Sequence, residues 1–476
     1  MKKTTITPQS DNFADWYQDV VREADLAESS EVRGCGIVKP YGYKIWDLMR
    51  AEMARLIEST GAENVYFPIF VPMANLEAEE DHVEGFAPEL AVVTHGGGKE
   101  LKEKLAVRPT SEAAMYPTYA KWIQSYRDLP LRLNQWCNVV RWEKRPRAFI
   151  RWIEFQWQEG HSAFATEAEA RAEVWQMLDL YEQVYKFMAI PVFQGRKSEV
   201  EKFAGAEMTT TVEIMVRDGK AIQGATSHYL GTNFAKVFDV KYRGEDEQDH
   251  FAHQTSWGFA WRSVGAVIMA HGDDHGLRLP PNVAPIQIVI VPIFKEENKD
   301  VVLKYANAVE AQLKAVGNFR VKVDVRDNMS PGFKFNEWEV KGVPVRLEIG
   351  GKEAEAGTVT VFRRDLNTKE NLTADAAVSG MQQLMADIHE TLWNQLSEFQ
   401  GTHVHRIESI DEIGDQVGFF EASWSEDAAS EALLKEKYSM VSRVLPKDKM
   451  DAAPKNAKCF ITGKEAKHDW LFAKSY

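Results

Sequence analysis

Apolar residues return every three or four positions through GYKIWDLMRAEMARLIESTGA, with Ile45, Met49, Met53 and Leu56 on one face. This spacing predicts an amphipathic helix, and Gly61 is placed to end it. The following run, NVYFPIFVP, reads as a strand, and Pro68 and Pro72 put it at an edge or an interface. A second helical period covers about 167–189 through Ala170, Val174, Met177, Leu178, Tyr181 and Val184. Near Pro280, Pro281 and Pro285 the pattern changes, and these prolines predict a stiff linker. The continuous apolar run IQIVIVPIF then predicts a buried strand. A helix over about 300–316 follows, with Val302, Tyr305, Val309 and Leu313 on one face. RVKVDVRD, VPVRLEIGG and TVTVFRRD are β-like, and a long helix is predicted over about 374–399. Strand and helix alternate here as in an α/β domain. The division that results is 1–282, 283–400 and a small mixed part, 401–476.

The densest chemistry lies in VVRWEKRPRAFIRWIEFQWQEGH. Arg141 and Glu143 are two apart, so on a strand they share a face. After a loop rich in arginine and proline, Arg151, Phe155 and Glu159 follow at four-residue spacing on what reads as a return strand. An antiparallel hairpin of this kind presents guanidinium groups for phosphate, a ring for a purine and carboxylates for amines. A surface hairpin laced with ion pairs is the plainer reading of the same residues.

Composition changes this picture little. The chain has 476 residues, 44% hydrophobic and 27% charged, which excludes disorder as the main state. Its net charge of -14 argues against a strong nonspecific nucleic-acid binder, though not against a local basic face. Cys35, Cys137 and Cys459 are too few and too scattered for a disulfide framework or a four-cysteine zinc site. The opening MKKTTITPQSDNFADWY lacks the apolar core of a secretory signal, and no run is long enough to span a bilayer. A reduced cytoplasmic setting and no membrane partner are therefore expected. His271-x3-His275 and His403-x-His405 match no zinc signature. The stretch from His95 to Lys99 lacks P-loop spacing and reads as a flexible loop over substrate or a plain surface loop.

Arg-x-Glu, a loop, then Arg-x3-Phe-x3-Glu resembles motif 2 of the class II aminoacyl-tRNA synthetases. The helix with VYFPIF resembles motif 1, which builds a dimer interface in that class. QTSWGFAWRSVGAVIMAHG, with Gly258 and Arg262, resembles motif 3. LAVRPTSE, WQEGHSAFAT, KFAGAEMTTTVE, AIQGATSHYLG, HGDDHGLRLPP and PGFKFNEWEVKGVPVRLEIG narrow the resemblance to the prolyl-tRNA synthetase family. Within it, the chain resembles the archaeal and eukaryotic-like form, which has a C-terminal extension and ends in tyrosine, as Tyr476 does here.

This resemblance implies a catalytic domain on an antiparallel class II sheet, an α/β anticodon-binding domain and a small α/β C-terminal domain. It implies a homodimer that activates L-proline with ATP and Mg2+, then transfers it to the 3′ end of tRNA(Pro). By position, Thr110 and Glu112 would hold the imino group, and Trp157, Glu159, His161 and His228 would wall the proline pocket. Ser256 would contact the carboxylate. Arg141, Glu143, Arg151, Phe155, Gln223, Thr226 and Arg262 would bind ATP, with Arg141, Glu143 and Arg262 catalytic. Phe335, Glu339, Arg346 and Lys352 would read the anticodon. Three departures stand out. Glu159 to Gln254 spans fewer than 100 residues, too few for the editing insertion of many bacterial members. Motif 3 has Ala260 where relatives often carry a hydroxyl. GFFEASWSEDAASEALLKEKY has alanine and serine where zinc-binding cysteines would be expected, so no zinc is predicted.

Overall fold

The structure, a computed structural model, describes residues 6–78, 89–452, 454 and 456–476. The first five residues of the opening segment lie outside it. An eleven-stranded sheet forms the body. From one edge it runs Glu63–Asn64, Leu131–Val140, Glu154–Phe164, His253–Ala260, Ala221–Gly231, Met208–Met215 and Phe193–Arg196. It continues through Val441–Pro446, His468–Ala473, Phe419–Trp424 and Val404–Arg406. Only the outermost pair at each edge is parallel. The C-terminal part thus extends the main sheet, through Leu445 opposite Arg196 and Pro446 opposite Gly195.

One face of this sheet is covered by helices. Glu167–Phe187 begins at a capping box in which Thr166 and Glu169 bond reciprocally. It buries the predicted stripe of Ala170, Val174, Met177, Leu178, Tyr181 and Val184. Pro40–Glu58 and the almost wholly buried Arg262–His271 complete the layer, and the shared core includes Trp46, Trp257 and Phe259. The other face is covered at one end by the helices Glu112–Trp122 and Asn233–Phe238, over Leu133 and Leu230, and is open beside them.

Two local expectations are corrected. NVYFPIFVP is no continuous strand: Glu63–Asn64 and Phe70–Pro72 belong to different sheets, separated by an irregular stretch containing Pro68. The run from His95 to Lys99 is the tip of a hairpin joining Ala91–Gly96 to Lys99–Val107. Gly97 and Gly98, at φ 59° and 78°, form a two-residue turn that L side chains disfavour.

The second part is a five-stranded sheet in the order Val321–Val323, Ile288–Pro292, Val345–Ile349, Thr358–Arg363 and Thr368–Thr373. The first three strands are parallel and the last two antiparallel. Lys299–Val316 and Ala374–Thr402 pack their apolar faces on it. The helix Pro331–Val340, not foreseen from periodicity, starts at Ser330, whose hydroxyl accepts from the Phe333 N–H. The proline-rich connection is held down: Leu277 N–H donates to Val340 and Leu279 N–H to Gly342. Arg364 donates to Asp273 through two bonds of 2.6 and 2.7 Å, tying the second part to the first.

Candidate functional site

Phe155, Trp157, Glu159 and His161 alternate along one strand, so all four face the open side of the sheet. Register brings the next strands to them: Gly258 lies opposite Glu159, Ser256 opposite His161, and His228 opposite Ser256. On the strand that carries His228, Gly224 is an extra residue in the pairing with Met208–Met215. This bulge lets Gln223 and Thr226, of opposite parity, both line the cavity. Gly224 also lies against the Tyr185 ring, where a Cβ would come within 2.7 Å.

The cavity holds about 260 Å³ and is lined by Thr110, Glu112, Arg141, Phe155, Trp157, Glu159, His161, Gln223, Thr226, His228, Ser256 and Arg262. These are twelve of the fourteen residues expected from sequence for proline and ATP. Glu143 and Arg151 lie in an adjoining cavity of about 300 Å³, which shares Arg141, Phe155, Ala260 and Arg262 with the first. Both leave the strands they were placed on, because Leu131–Val140 ends before Arg141 and Glu154–Phe164 begins after Arg151. The intervening loop folds on itself through an Arg147–Arg151 bridge.

Glu159 is the most heavily held group. It accepts from the Ser111 N–H at 3.1 Å, the Ser111 hydroxyl, Gln135 at 3.1 Å, the Cys137 thiol at 3.2 Å and His161 at 3.2 Å. Burial alone would raise its pKa, but the bonds and charge from His161, then those from Ser111 and Cys137, hold it down at about 2. His161 moves the other way. Burial opposes its charge, yet Glu112 and then Glu159 raise it above 6.5. Its second nitrogen meets the Tyr116 hydroxyl at 3.2 Å. Thr110 donates to Glu112 at 2.5 Å. The Ser256 hydroxyl is buried with no hydrogen-bond partner among the described residues, a donor and acceptor ready for a ligand.

The other end of the cavity is electropositive. Arg262 donates to the Ile150 carbonyl at 3.0 Å. Burial, then repulsion from Arg151 and Arg141, pushes its pKa down to about 10. Arg141 donates to the Pro109 carbonyl and lies over the Phe155 and Trp157 rings. Three converging guanidinium groups raise one another's free energy, and a polyphosphate relieves them.

A second cluster lies in the other sheet. Arg346 is buried, donating to Glu339 at 2.7 Å and to Glu348 at 2.9 and 3.0 Å. Its guanidinium lies over Phe335 at 4.3 Å and Phe362 at 4.1 Å. Lys369 closes the set, 2.7 Å from Glu348. Phe335, Glu339 and Arg346 are therefore brought together. Lys352 is exposed on the short helix Gly351–Ala356 and is not part of this packed set.

Sequence reasoning missed Ser111, Gln135 and Cys137 beneath Glu159, and Glu201, Phe203 and Thr209 on the cavity wall. Ser111 adjoins Thr110 and could have been suspected. The others needed strand register. The suggestive histidine pairs are accounted for: His271, His403 and His405 each bond a backbone carbonyl. Among the described residues no group of three or more His, Cys, Asp or Glu is arranged for a metal ion. Among them, too, no helix is long and apolar enough to cross a membrane.

Family models match all three parts of the chain. A class II tRNA synthetase core domain (G, H, P, S and T) matches residues 93–271, an anticodon-binding domain 287–384, and a prolyl-tRNA synthetase C-terminal domain 407–476. A proline–tRNA ligase of Symbiobacterium thermophilum is 45% identical over 99% of this chain and 98% of its own length. That of Chloroherpeton thalassium is 46% identical over 99% of both. A crystal structure of Cryptosporidium parvum prolyl-tRNA synthetase superimposes with a TM-score of 0.95 at 41% identity, covering 99% of this chain and 100% of the other. Full-length likeness at this level, on the fold and cavity just described, places the chain in the class II prolyl-tRNA synthetase family, as an ATP-dependent ligase that joins proline to tRNA.

Proposed function

We propose that the two ends of the cavity divide the activation step between them. Thr110 and Glu112 hold the imino group, whose two N–H bonds suit a hydroxyl and a carboxylate. The Trp157 ring packs on the pyrrolidine, Glu159, His161 and His228 complete the pocket wall, and Ser256 meets the carboxylate. Arg141 brings that carboxylate to the α-phosphate. Arg151 and Arg262 bind the remaining phosphates, Phe155 and Arg262 sandwich the adenine, and Glu143, Gln223 and Thr226 complete the ATP site. Magnesium enters with ATP as part of the substrate. The proline carboxylate attacks the α-phosphorus, its bond to pyrophosphate breaks, and prolyl-adenylate forms. A terminal ribose hydroxyl of tRNA(Pro) then displaces AMP. Catalysis is positioning plus charge stabilisation by Arg141 and Arg262.

One observation carries this reading: a cluster of guanidinium groups, from half-buried Arg141 and Arg262 and exposed Arg151, adjoins a small pocket bearing Glu112 and Glu159. The C. parvum relative was crystallised with AMPPNP, an ATP analogue, and with halofuginone. In the second domain, Phe335 and Glu339 face the anticodon of tRNA(Pro), Arg346 supports both from behind, and Lys352 holds phosphate.

The enzyme works as a homodimer in the cytoplasm. Tyr66 and Phe70 of the motif 1 segment, 77% and 50% exposed, support a covered surface there. It belongs to the archaeal and eukaryotic-like form, without an editing domain or zinc. Buried Cys459 packs in an apolar cluster with Trp424, Phe460 and Trp470, which suits a C-terminal part held by packing. Prompt deacylation of Ala-tRNA(Pro), or stoichiometric zinc in the pure protein, would contradict these two points. The main test is ATP–pyrophosphate exchange with proline, alanine, glycine, threonine and cysteine, followed by charging of tRNA(Pro). Proline should be strongly preferred, and absence of proline-dependent exchange would overturn the assignment. Discrimination against alanine should be modest, since each missing methylene is worth about 1–3 kcal/mol.

A further inference from the structure

The seam between the catalytic strands and the C-terminal part has an apolar stretch around Met215, Phe419 and Val444 and, beside it, a buried polar cluster at the root of a segment that reaches the amino-acid pocket. Glu213, fully buried, accepts from Arg443 at 2.6 and 2.9 Å and lies 3.0 Å from Lys197. One residue on, the Ser198 hydroxyl donates to Glu431 at 3.1 Å, and Glu431 also accepts from the Ser442 N–H at 2.9 Å. Glu431 and Arg443 belong to the C-terminal part; Lys197 and Ser198 open the segment that returns at Met208. The same Ser198 oxygen accepts from the Glu201 N–H at 3.2 Å. Glu201 and Phe203 then line the cavity. The Phe203 ring lies 4.7 Å from His228, and its N–H donates to Thr209, whose hydroxyl meets His228 Nδ1 at 3.0 Å.

A buried carboxylate and guanidinium carry a large desolvation cost and fix geometry only where every partner is present. We infer that Glu431 is a positioning residue for proline binding, holding the segment 197–207 through Ser198 so that Phe203 closes the amino-acid pocket beside His228. The inference rests on assigning that pocket to proline. It gives the C-terminal part a role in proline affinity that leaves ATP binding alone, because Glu431 and Ser198 root the wall carrying Phe203 and His228, whereas the side of the seam nearer Arg262 is the Arg443–Glu213 pair, opposite Gln223.

The test uses the full-length enzyme in ATP–pyrophosphate exchange. Glu431→Ala and Ser198→Ala should each raise the KM for proline at least fivefold while the KM for ATP stays within twofold. Glu431→Gln, whose amide can bond Ser198 and Ser442, should return the proline KM to within twofold of the native value. In a Phe203→Ala background, Glu431→Ala should add less than twofold, because the contact it supports is gone. Parallel rises in the two KM values, or multiplying effects of Glu431→Ala and Phe203→Ala, would overturn the inference. Ser198→Ala removes a single hydroxyl and carries the test if Glu431→Ala does not fold. Thr110→Val is the control: if it leaves the proline KM unchanged, the pocket assignment falls and the inference with it. If Thr110→Val acts and the folded seam variants do not, the positioning role alone falls.

Discussion

In the catalytic cavity Arg141, Arg151 and Arg262 converge beside the Phe155 ring, and Arg262 loses proton affinity through burial and its cationic neighbours. In the anticodon domain Arg346 is more deeply buried, among rings, and Glu339 and Glu348 meet its charge at 2.7–3.0 Å. In the first centre Arg262, bonded to the Ile150 carbonyl and repelled by Arg151 and Arg141, suits a ligand that brings negative charge. The second is already balanced and serves to hold an aromatic ring and a carboxylate in place. The same side-chain types thus give two different settings, depending on whether a guanidinium meets carboxylates directly, as at Arg346, or a backbone carbonyl and other guanidinium groups, as at Arg262.

The largest consequence concerns rate. Arg262→Gln should lower kcat/KM for pyrophosphate exchange by about a hundredfold to a thousandfold, the usual effect of removing one preorganised stabilising donor. Arg262→Lys should not rescue it, because a point charge cannot replace the planar fork. A loss below tenfold would remove Arg262 from the charge-stabilising set. The next contrast is in stability. Arg346→Met leaves two carboxylates facing a ring and should cost about 3 kcal/mol or more in urea unfolding. Arg262→Met relieves repulsion and desolvation and should stay within about 1 kcal/mol of the native protein. Equal costs would erase the distinction between the centres.

A smaller effect follows from pH. The folded pKa of His161 is raised, so its imidazolium contributes fully below 6.5 and that contribution is lost as pH rises through the folded value. The proline KM should therefore climb several-fold on the alkaline side. Glu112→Gln should move that limb to lower pH, since the Glu112 charge, together with Glu159, raises it. An unmoved limb would assign the titration elsewhere. The smallest effect belongs to Lys352. Lys352→Ala should weaken tRNA binding a few-fold and reduce the salt slope by about one. No change in the slope would separate Lys352 from phosphate.

The same contrast explains what the sequence could and could not reveal. Alternation along 154–164 places Phe155 and Glu159 on one face without any tertiary knowledge, and the structure agrees. The partners of Glu159 were hidden because Gln135 and Cys137 reach it only through the register of a neighbouring strand. Gln223 and Thr226 cannot share a face by simple alternation, and the bulge at Gly224 has no period to read. Ser330 and Pro331 did carry a helix-start signal, but Pro331–Val340 has too little amphipathic contrast to stand out. The continuation of one sheet into the C-terminal strands depends on a pairing of Leu445 with Arg196, distant in sequence and invisible to local pattern.

The most direct test of two independent centres is to measure pyrophosphate exchange and tRNA(Pro) charging on one Phe335→Ala preparation. Phe335 packs on Arg346 and touches nothing in the catalytic cavity. Exchange should stay within twofold of the native rate while charging falls tenfold or more. A parallel fall in both would contradict a catalytic centre complete in itself and a separate, charge-balanced reader.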